Sequence, residues 1–503
     1  MPRSFGLFNL EGCTGWFRGD WGLVVVFLLI AANSALMAFL RPDETLSPDS
    51  LGYLELARNL ASGEGYIKDG VYSGVWPLGY PMAIAAVIKV TGLGAYWASK
   101  AANLLLIGLA LLSLRNLMKA DAALLGSVLL TATGLALGPM TWSEIPFLCF
   151  MMMFVTALAG HHRKPTLPGA LAIVLFGLLV FLSRWVGLFI LLPIAVIGLW
   201  HLGQRDLRRF ATYLVVGLAI LGLALAYLGF NITATGHATG MEREVASMGA
   251  SALLTDLGRA LLFQLNPVRL GFASQSLWQT GLWCATALPV LIGAIVLVRR
   301  WRQSDPEPKP GLAEAPAWPF FLLVALAYLL AIIGIRLFFS FDTFTYRLVG
   351  PGVLLVWMAL IDAALRRPSL VCWFRVRWVL LILLTFLVNP LGKATMSALR
   401  DDQAYSAISA LYATLPENAV VLFIHPTGLA LHPTLRWRDD LHVRRGDDLE
   451  TLIATGCHGM AGPVYLRVKP YIADLEDVDP SVRQQMAGRQ GDSLYRIGSC
   501  PLP

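Results

Sequence analysis

Residues 41 to 82 read RPDETLSPDSLGYLELARNLASGEGYIKDGVYSGVWPLGYPM, and they follow an uncharged apolar run, Trp21 to Leu40. That run is long enough to span roughly 30 Å of hydrocarbon at about 1.5 Å per residue of helix. The chain therefore leaves a membrane-length helix into Arg41-Pro42-Asp43-Glu44, a cluster that belongs in water. Ser47 and Pro48 suit an N-cap and a first helical position, and Gly63 suits a stop, so the spacing predicts a helix over 48 to 62. Tyr53, Leu56, Ala57 and Leu60 share one face of it, with Glu55, Arg58, Asn59 and Ser62 on the others. A helix of this pattern lies along a membrane interface rather than across it. Asp49 falls in its first turn, where the helix dipole alone favours an acid by roughly 0.3 to 1 kcal/mol. Asp43 and Glu44 have an equally plain reading as charges flanking a span. Three carboxylates between positions 43 and 49 still exceed what capping requires, and they mark the stretch as a candidate site.

Composition fixes the class of the whole chain. Hydrophobic residues make up 56% of 503 and charged residues 14%, and the mean hydropathy is +0.64, values that belong to a polytopic membrane protein. The net charge of +7 and the pI near 9.1 do not indicate a nucleic-acid partner, because Lys and Arg fall in short clusters between apolar runs, where the positive-inside rule puts them. Six cysteines are scattered without metal-ligand spacing, and only Cys457 and Cys500 share a polar region.

The first apolar run is followed by Arg-Pro-Asp rather than by a small-residue cleavage site, so it reads as a retained helix with its N-terminus in the cytoplasm. Further spans are expected near 95–117, 121–138, 145–160, 167–183, 185–202, 211–230, 279–298, 318–337, 348–366 and 377–392, about eleven in all. Alternate loops test this order. Arg115 and Lys119, His161 to Lys164, Arg205 to Arg209, Arg299 to Arg302, and Arg366, Arg367, Arg375 and Arg377 all fall on one side, as cytoplasmic loops should. On the other side lie 41–94, the turn at 141–144, a tight reversal near Arg184, the long loop 231–278, the turn at 341–347 and the region from about 393. The long loop reads either as a lid over the cavity or as an amphipathic connector.

Beyond residue 392 charge, Pro and Asp rise and no run is long enough to span. The expectation is a transmembrane domain over 1–392 and a small extracytoplasmic α/β domain over 393–503, with a helix at 404–415 and strands at 419–424, 463–468 and 493–497. In an oxidising compartment Cys457 and Cys500 are free to pair or to stay apart as two thiols.

The sequence DSLGYLELARNLASGEGY, followed by WPLGYP, resembles the first extracytoplasmic loop of the GT-C-type integral membrane glycosyltransferases, the superfamily of the protein O-mannosyltransferases and the lipid A aminoarabinose transferases. Asp49, Tyr53, Glu55, Ser62, Gly63 and Glu64 match the loop pattern, with Asp43-Glu44 as an upstream acidic pair and Trp76 and Tyr80 in the exit. WSEIPF (142–147) resembles the short second outer loop and its acid, Glu144, while SRWVG (183–187) and TYRLVGP (345–351) resemble places where members set an arginine near a lipid phosphate.

The resemblance implies an enzyme that moves a monosaccharide from a polyprenyl-phosphate donor to a glycan, lipid or protein acceptor outside the cytoplasm, in a bacterial inner membrane. It implies Asp49 as general base, Glu144 and Asp43 as further catalytic carboxylates, Arg184 and Arg347 on the donor phosphate, and Tyr53, Glu55, Trp76 and Tyr80 as acceptor or loop support. It leaves room for a divalent metal ion. These residue types suit the chemistry. A sugar phosphoester already has a good leaving group, so the needs are a carboxylate for the acceptor's proton and cations for the departing phosphate. Arginine's planar fork binds phosphate oxygens in pairs and keeps its charge when partly desolvated. A single displacement inverts the anomeric centre. A transporter or flippase for a lipid-linked sugar is the competing class; its signs are internal repeats and broken paired spans, and the sequence shows no repeat.

Overall fold

The computed structural model describes residues 19–40, 45–68, 70–243, 245–246, 249–268, 316–339, 344–366, 368–398, 415–416, 419–423, 442–445, 462–468 and 493–500, with 288, 295 and 299 besides. Seven helical stretches among them are long and apolar enough to cross a membrane. The described residues start with helix α1 (Asp20–Leu40) and then α2 (Pro48–Ser62). A hairpin of β1 (Ile67–Lys68) and β2 (Val71–Tyr72) leads into α3 (Gly79–Thr91) and α4 (Ala95–Met118).

Helix α2 begins and ends where its caps direct. The Ser47 N–H donates to Ser50 Oγ at 2.9 Å, and Gly63 closes the helix at φ 91°, a left-handed conformation that costs glycine little. The sequence pattern does not reveal α3, because Gly79-Tyr80-Pro81 reads as a turn. Pro81 lies instead in the first helical turn, where a missing N–H breaks no intrahelical bond.

The stretch 121 to 138, expected as one span, is broken. A 3-10 turn at Lys119–Asp121 leads to α5 (Ala122–Gly126), a second 3-10 turn at Ser127–Leu130, and α6 (Ala132–Leu137). Gly134 shows why the chain can fold so tightly: a Cβ there would lie 2.3 Å from the Leu129 carbonyl oxygen. Thr131 caps α6, its side chain accepting from the Gly134 N–H.

The helices α7 (Glu144–Arg163), α8 (Leu167–Ser183), α9 (Leu191–Gly203) and α10 (Leu207–Thr235) follow, with a 3-10 turn at Trp185–Ile190 between α8 and α9. The expected reversal near Arg184 is present. Arg184 is extended at φ −153° and ψ 138°, its carbonyl accepts from the Gly187 N–H at 2.7 Å, and a Cβ on Gly187 would lie 2.5 Å from the Val180 carbonyl oxygen. The remaining helices among the described residues are α11 (Ala250–Gln264), α12 (Trp318–Phe338), α13 (Tyr346–Leu365) and α14 (Pro368–Ala398). Of the expected span at 279–298 only residues 288 and 295 are described, and that at 377–392 falls within α14.

By contacts the chain divides into two compact units, Met1–Ala35 with Asn103–Pro139 and Ser143–Lys393, and Leu36–Ala102 with Met140–Trp142 and Ala394–Pro503. In the first, 83% of the apolar stretch of both α7 and α13 is buried, against 22% for α10, so α7 and α13 are central and α10 is peripheral. The basic helix ends that the sequence assigns to one side do meet. Arg163 donates to the Leu117 carbonyl at 3.3 Å, Arg209 to the His162 carbonyl at 3.4 Å, and Arg375 Nη2 to Asp121 at 2.5 Å. At the same ends Asp362 accepts the Ala317 and Trp318 N–H groups at 2.9 and 2.7 Å and so caps the start of α12.

In the second unit, α2 buries Tyr53 and Ala57 against Tyr80, Ile84, Ala98 and Ala102, and Leu54 against Ala38, Leu46, Ala95 and Tyr96. Burial on two sides makes α2 a packed element rather than one laid on a surface. This unit also holds a sheet in the order β4-β3-β5-β6, from β3 (Val420–Phe423), β4 (His442–Arg445), β5 (Gly462–Val468) and β6 (Ser493–Cys500). Strand β3 pairs in parallel with β4 and β5, and β6 pairs antiparallel to β5. Three strands match the sequence expectation and β4 adds to it. The expected helix at 404–415, except its last residue, and Cys457 lie outside the described residues.

Candidate active site

Three residues that the sequence offers separately meet on one oxygen. Glu144 is the first residue of α7, Arg184 stands at the break after α8, and Arg347 is the second residue of α13. Arg184 Nη1 lies 2.5 Å and Arg347 Nε 3.0 Å from Glu144 Oε1. The carboxylate side chain is 1% exposed, whereas those of Arg184 and Arg347 are 18% and 20% exposed. A buried anion thus holds two cations that still reach the surface, and the trio carries one net positive charge. Glu144 Oε2 is buried and makes no hydrogen bond among the described residues.

Aromatic side chains support the trio. The Arg184 guanidinium lies 5.8 Å from the centre of the Phe147 ring, one turn along α7 from Glu144. Phe147 and Phe189 each pack on Tyr328, at 5.3 and 5.4 Å between ring centres. Tyr328 in turn donates to the Leu348 carbonyl at 2.5 Å, next to Arg347. Glycine makes the approach possible: a Cβ on Gly352 would lie 3.0 Å from the Tyr328 ring, and one on Gly350 would lie 2.9 Å from Thr133 Cγ2.

Asp49 is half-buried in the first turn of α2, in the other unit. The start of α2 is held by a polar cluster within that unit. Ser50 Oγ donates to the Thr141 carbonyl at 2.9 Å, Trp142 Nε1 donates to Ser47 Oγ at 2.6 Å, and the Thr141 N–H donates to the Thr45 carbonyl at 2.9 Å. Lys100 Nζ donates to Thr141 Oγ1 at 2.7 Å and lies 4.6 Å from the centre of the Tyr96 ring. The sequence motifs do not single out Lys100. Its signal was a lone lysine within the apolar run at 95–117, a position that membrane burial makes costly without a specific role.

The support residues also assemble. Tyr53 packs edge-on to Trp76 and Tyr80 at 6.2 and 5.2 Å, and Tyr66 donates to the Trp76 carbonyl at 2.6 Å. Glu55 is half-buried on α2. Asp43 lies outside the described residues.

A divalent ion does not fit the Glu144 carboxylate. Among the described residues no three His, Cys, Asp or Glu side chains gather to hold a metal, and two guanidinium groups beside Glu144 would repel a dication. What the trio can bind is an oxyanion, for which two guanidinium groups are suited by charge and by shape.

The chain shares its fold with a GT-C membrane glycosyltransferase of known structure. It is similar to ArnT from Cupriavidus metallidurans bound to undecaprenyl phosphate, with a TM-score of 0.53 at 16% sequence identity over 94% of this chain and 96% of that one. The same ArnT in its apo state gives 0.44 at 18% identity over 93% and 96%. The oligosaccharyltransferase AglB from Archaeoglobus fulgidus, in complex with an inhibitory peptide and a dolichol-phosphate, gives 0.43 at 15% identity over 84% and 64%. The fold assignment comes from the first of these. No protein-family profile and no curated protein sequence matches the chain.

Proposed function

We propose that the protein is a glycosyltransferase that moves a monosaccharide from a polyprenyl-phosphate donor to an extracytoplasmic acceptor, a glycan, lipid or protein group, with inversion at the anomeric carbon. Arg184 and Arg347 bind the donor phosphate and take up its charge as it departs. Asp49 takes the proton of the acceptor hydroxyl as the new glycosidic bond forms and the sugar–phosphate bond breaks. Glu144, buried and paired to both arginines, serves to orient them. Asp43 is a second acid in the loop before α2. The protein works in a bacterial inner membrane with its N-terminus in the cytoplasm, and residues 393–503 form a separate extracytoplasmic domain.

The observation that carries this reading is the shared carboxylate oxygen. Two guanidinium groups held within 3.0 Å of one buried Glu144 oxygen, each about one-fifth exposed, form a preorganised cationic fork of the kind a lipid phosphate requires. The relative bound to undecaprenyl phosphate shares the fold that presents it. The test uses purified protein in lipid nanodiscs with a radiolabelled polyprenyl-phosphate sugar and a candidate acceptor extract. Product is expected from the wild type and not from Asp49→Asn, while the Asn variant still binds polyprenyl phosphate. Undiminished transfer by Asp49→Asn would remove Asp49 from the role of base. Absence of polyprenyl-phosphate binding by the wild type would overturn the reading as a whole.

A further inference from the structure

The helix α11 is a long-loop element that the proposed transfer chemistry does not use, and its two sides differ. Leu253, Leu257, Ala260 and Gln264 are buried, spaced at three and four residues, and form the face that packs against the rest of its unit. Next to that face runs a second apolar stripe, Leu254, Gly258, Leu261 and Leu265, with Leu262 at its edge. Leu254 and Leu262 are 60% and 64% exposed. Around the far side come Thr255 and Arg259, both exposed. A helix with one side packed, one side leucine and one side polar is not the pattern of a loop helix wholly in water.

The anchoring of α11 says what covers the leucines. Val245, just before the helix, bridges to Phe339, and the Ala246 N–H donates to the Phe338 carbonyl at 3.1 Å, both at the end of α12. Asp256 Oδ2 accepts from the Phe344 N–H at 2.9 Å at the start of α13, and Gln264 Oε1 accepts from Thr133 at 2.8 Å. These bonds fix α11 at the level where α12 and α13, two membrane-length helices, end. Exposed apolar side chains gather at that level: Val245 is 80% and Phe338 69% exposed, and Leu330 and Leu337 are exposed along α12.

We infer that α11 lies in the membrane–water interface, with Leu254, Leu261, Leu262 and Leu265 immersed in the lipid beside α12 and with Thr255 and Arg259 toward water. Its partner is the bilayer itself. A helix pinned at the ends of two spans and carrying its own leucine side is held at a fixed depth by lipid as well as by hydrogen bonds. The inference stands on the membrane reading of the chain and is independent of the transfer activity.

A nitroxide scan tests it. A spin label is attached through a single p-acetylphenylalanine placed in turn at 254, 255, 257, 259, 261 and 265, which leaves the native cysteines untouched. The protein is kept in lipid nanodiscs, and collision rates are measured with dissolved oxygen, which concentrates in lipid, and with a water-soluble nickel chelate. Labels at 254, 261 and 265 are expected to favour oxygen severalfold over those at 255 and 259, with the order reversed for nickel, while 257 stays low to both. Equal nickel access on the leucine and polar sides would show α11 in water and overturn the inference. Low access to both reagents at 254, 261 and 265 would show a protein partner or a second copy on that side and would overturn it equally.

Discussion

Replacement of Glu144 by Gln keeps the size of the side chain and removes the charge that Arg184 and Arg347 share. Both guanidinium nitrogens lie within 3.0 Å of one oxygen, so they are at most about 5.5 Å apart. At an effective dielectric constant near 20, two unit charges at that separation repel by about 3 kcal/mol once the anion is gone. Breaking a buried ion pair by removing one partner costs a comparable amount, about 3 to 5 kcal/mol, though one-fifth exposure of the arginines lets water offset part of it. If most of the 3 kcal/mol appears as lost organisation of the phosphate site, kcat/KM for transfer falls on the order of a hundredfold. The assay is donor-dependent transfer kinetics in nanodiscs, with apparent Tm followed by intrinsic fluorescence.

A double-mutant cycle with Arg184→Gln separates orientation from direct catalysis. An orienting Glu144 loses most of its effect once Arg184 is absent, giving a coupling energy of about 1 to 3 kcal/mol. Wild-type kcat/KM and Tm for Glu144→Gln, or strictly additive losses in the cycle, would refute the reasoning.

Three further outcomes are expected. Arg347→Lys keeps the charge and loses the planar fork, so donor KM should rise about tenfold, ~1.4 kcal/mol, with acceptor KM unchanged. Gly52→Ala places a Cβ 2.6 Å from Trp76 Cζ2, and the displaced ring should lower stability by about 1 to 3 kcal/mol, read as a fall in Tm. Asp362→Asn weakens the charge-assisted cap on α12 by about 1.5 to 3 kcal/mol; Tm should fall while affinity for polyprenyl phosphate, measured by equilibrium binding, stays at the wild-type value.

Local chemistry made much of this molecule legible before any coordinates. Ser47, Pro48 and Gly63 define α2 because capping depends on neighbours in sequence. The apolar run at 318–337 becomes a helix with nearly those bounds because bilayer thickness sets its length, and the run at 167–183 becomes one bounded by the Thr166 cap and the break at Arg184. The sequence failed where the fold depends on contacts made elsewhere. Pro81 disguised α3, and the close approach of Gly134 to the Leu129 backbone turned an apolar run into short helical pieces. Glu144, Arg184 and Arg347 were each visible as charges at the ends of apolar runs. Their meeting on a single oxygen was not, since residues 144 and 347 lie 203 positions apart and nothing local links them. Lys100 was hidden by its apolar neighbours, and its hydroxyl partner Thr141 lies 41 residues away.

The proline in α13 has a consequence for Arg347. Pro351 sits four residues after it and has no N–H to return to the Arg347 carbonyl, so the first turn of α13 is tied to the remainder of the helix by one backbone bond fewer. The enclosed body of α13 can then stay fixed while its tip adjusts. Under the proposed function, a guanidinium mounted on such a tip would follow the donor phosphate from its bonded to its released form without shifting the central helix of its unit.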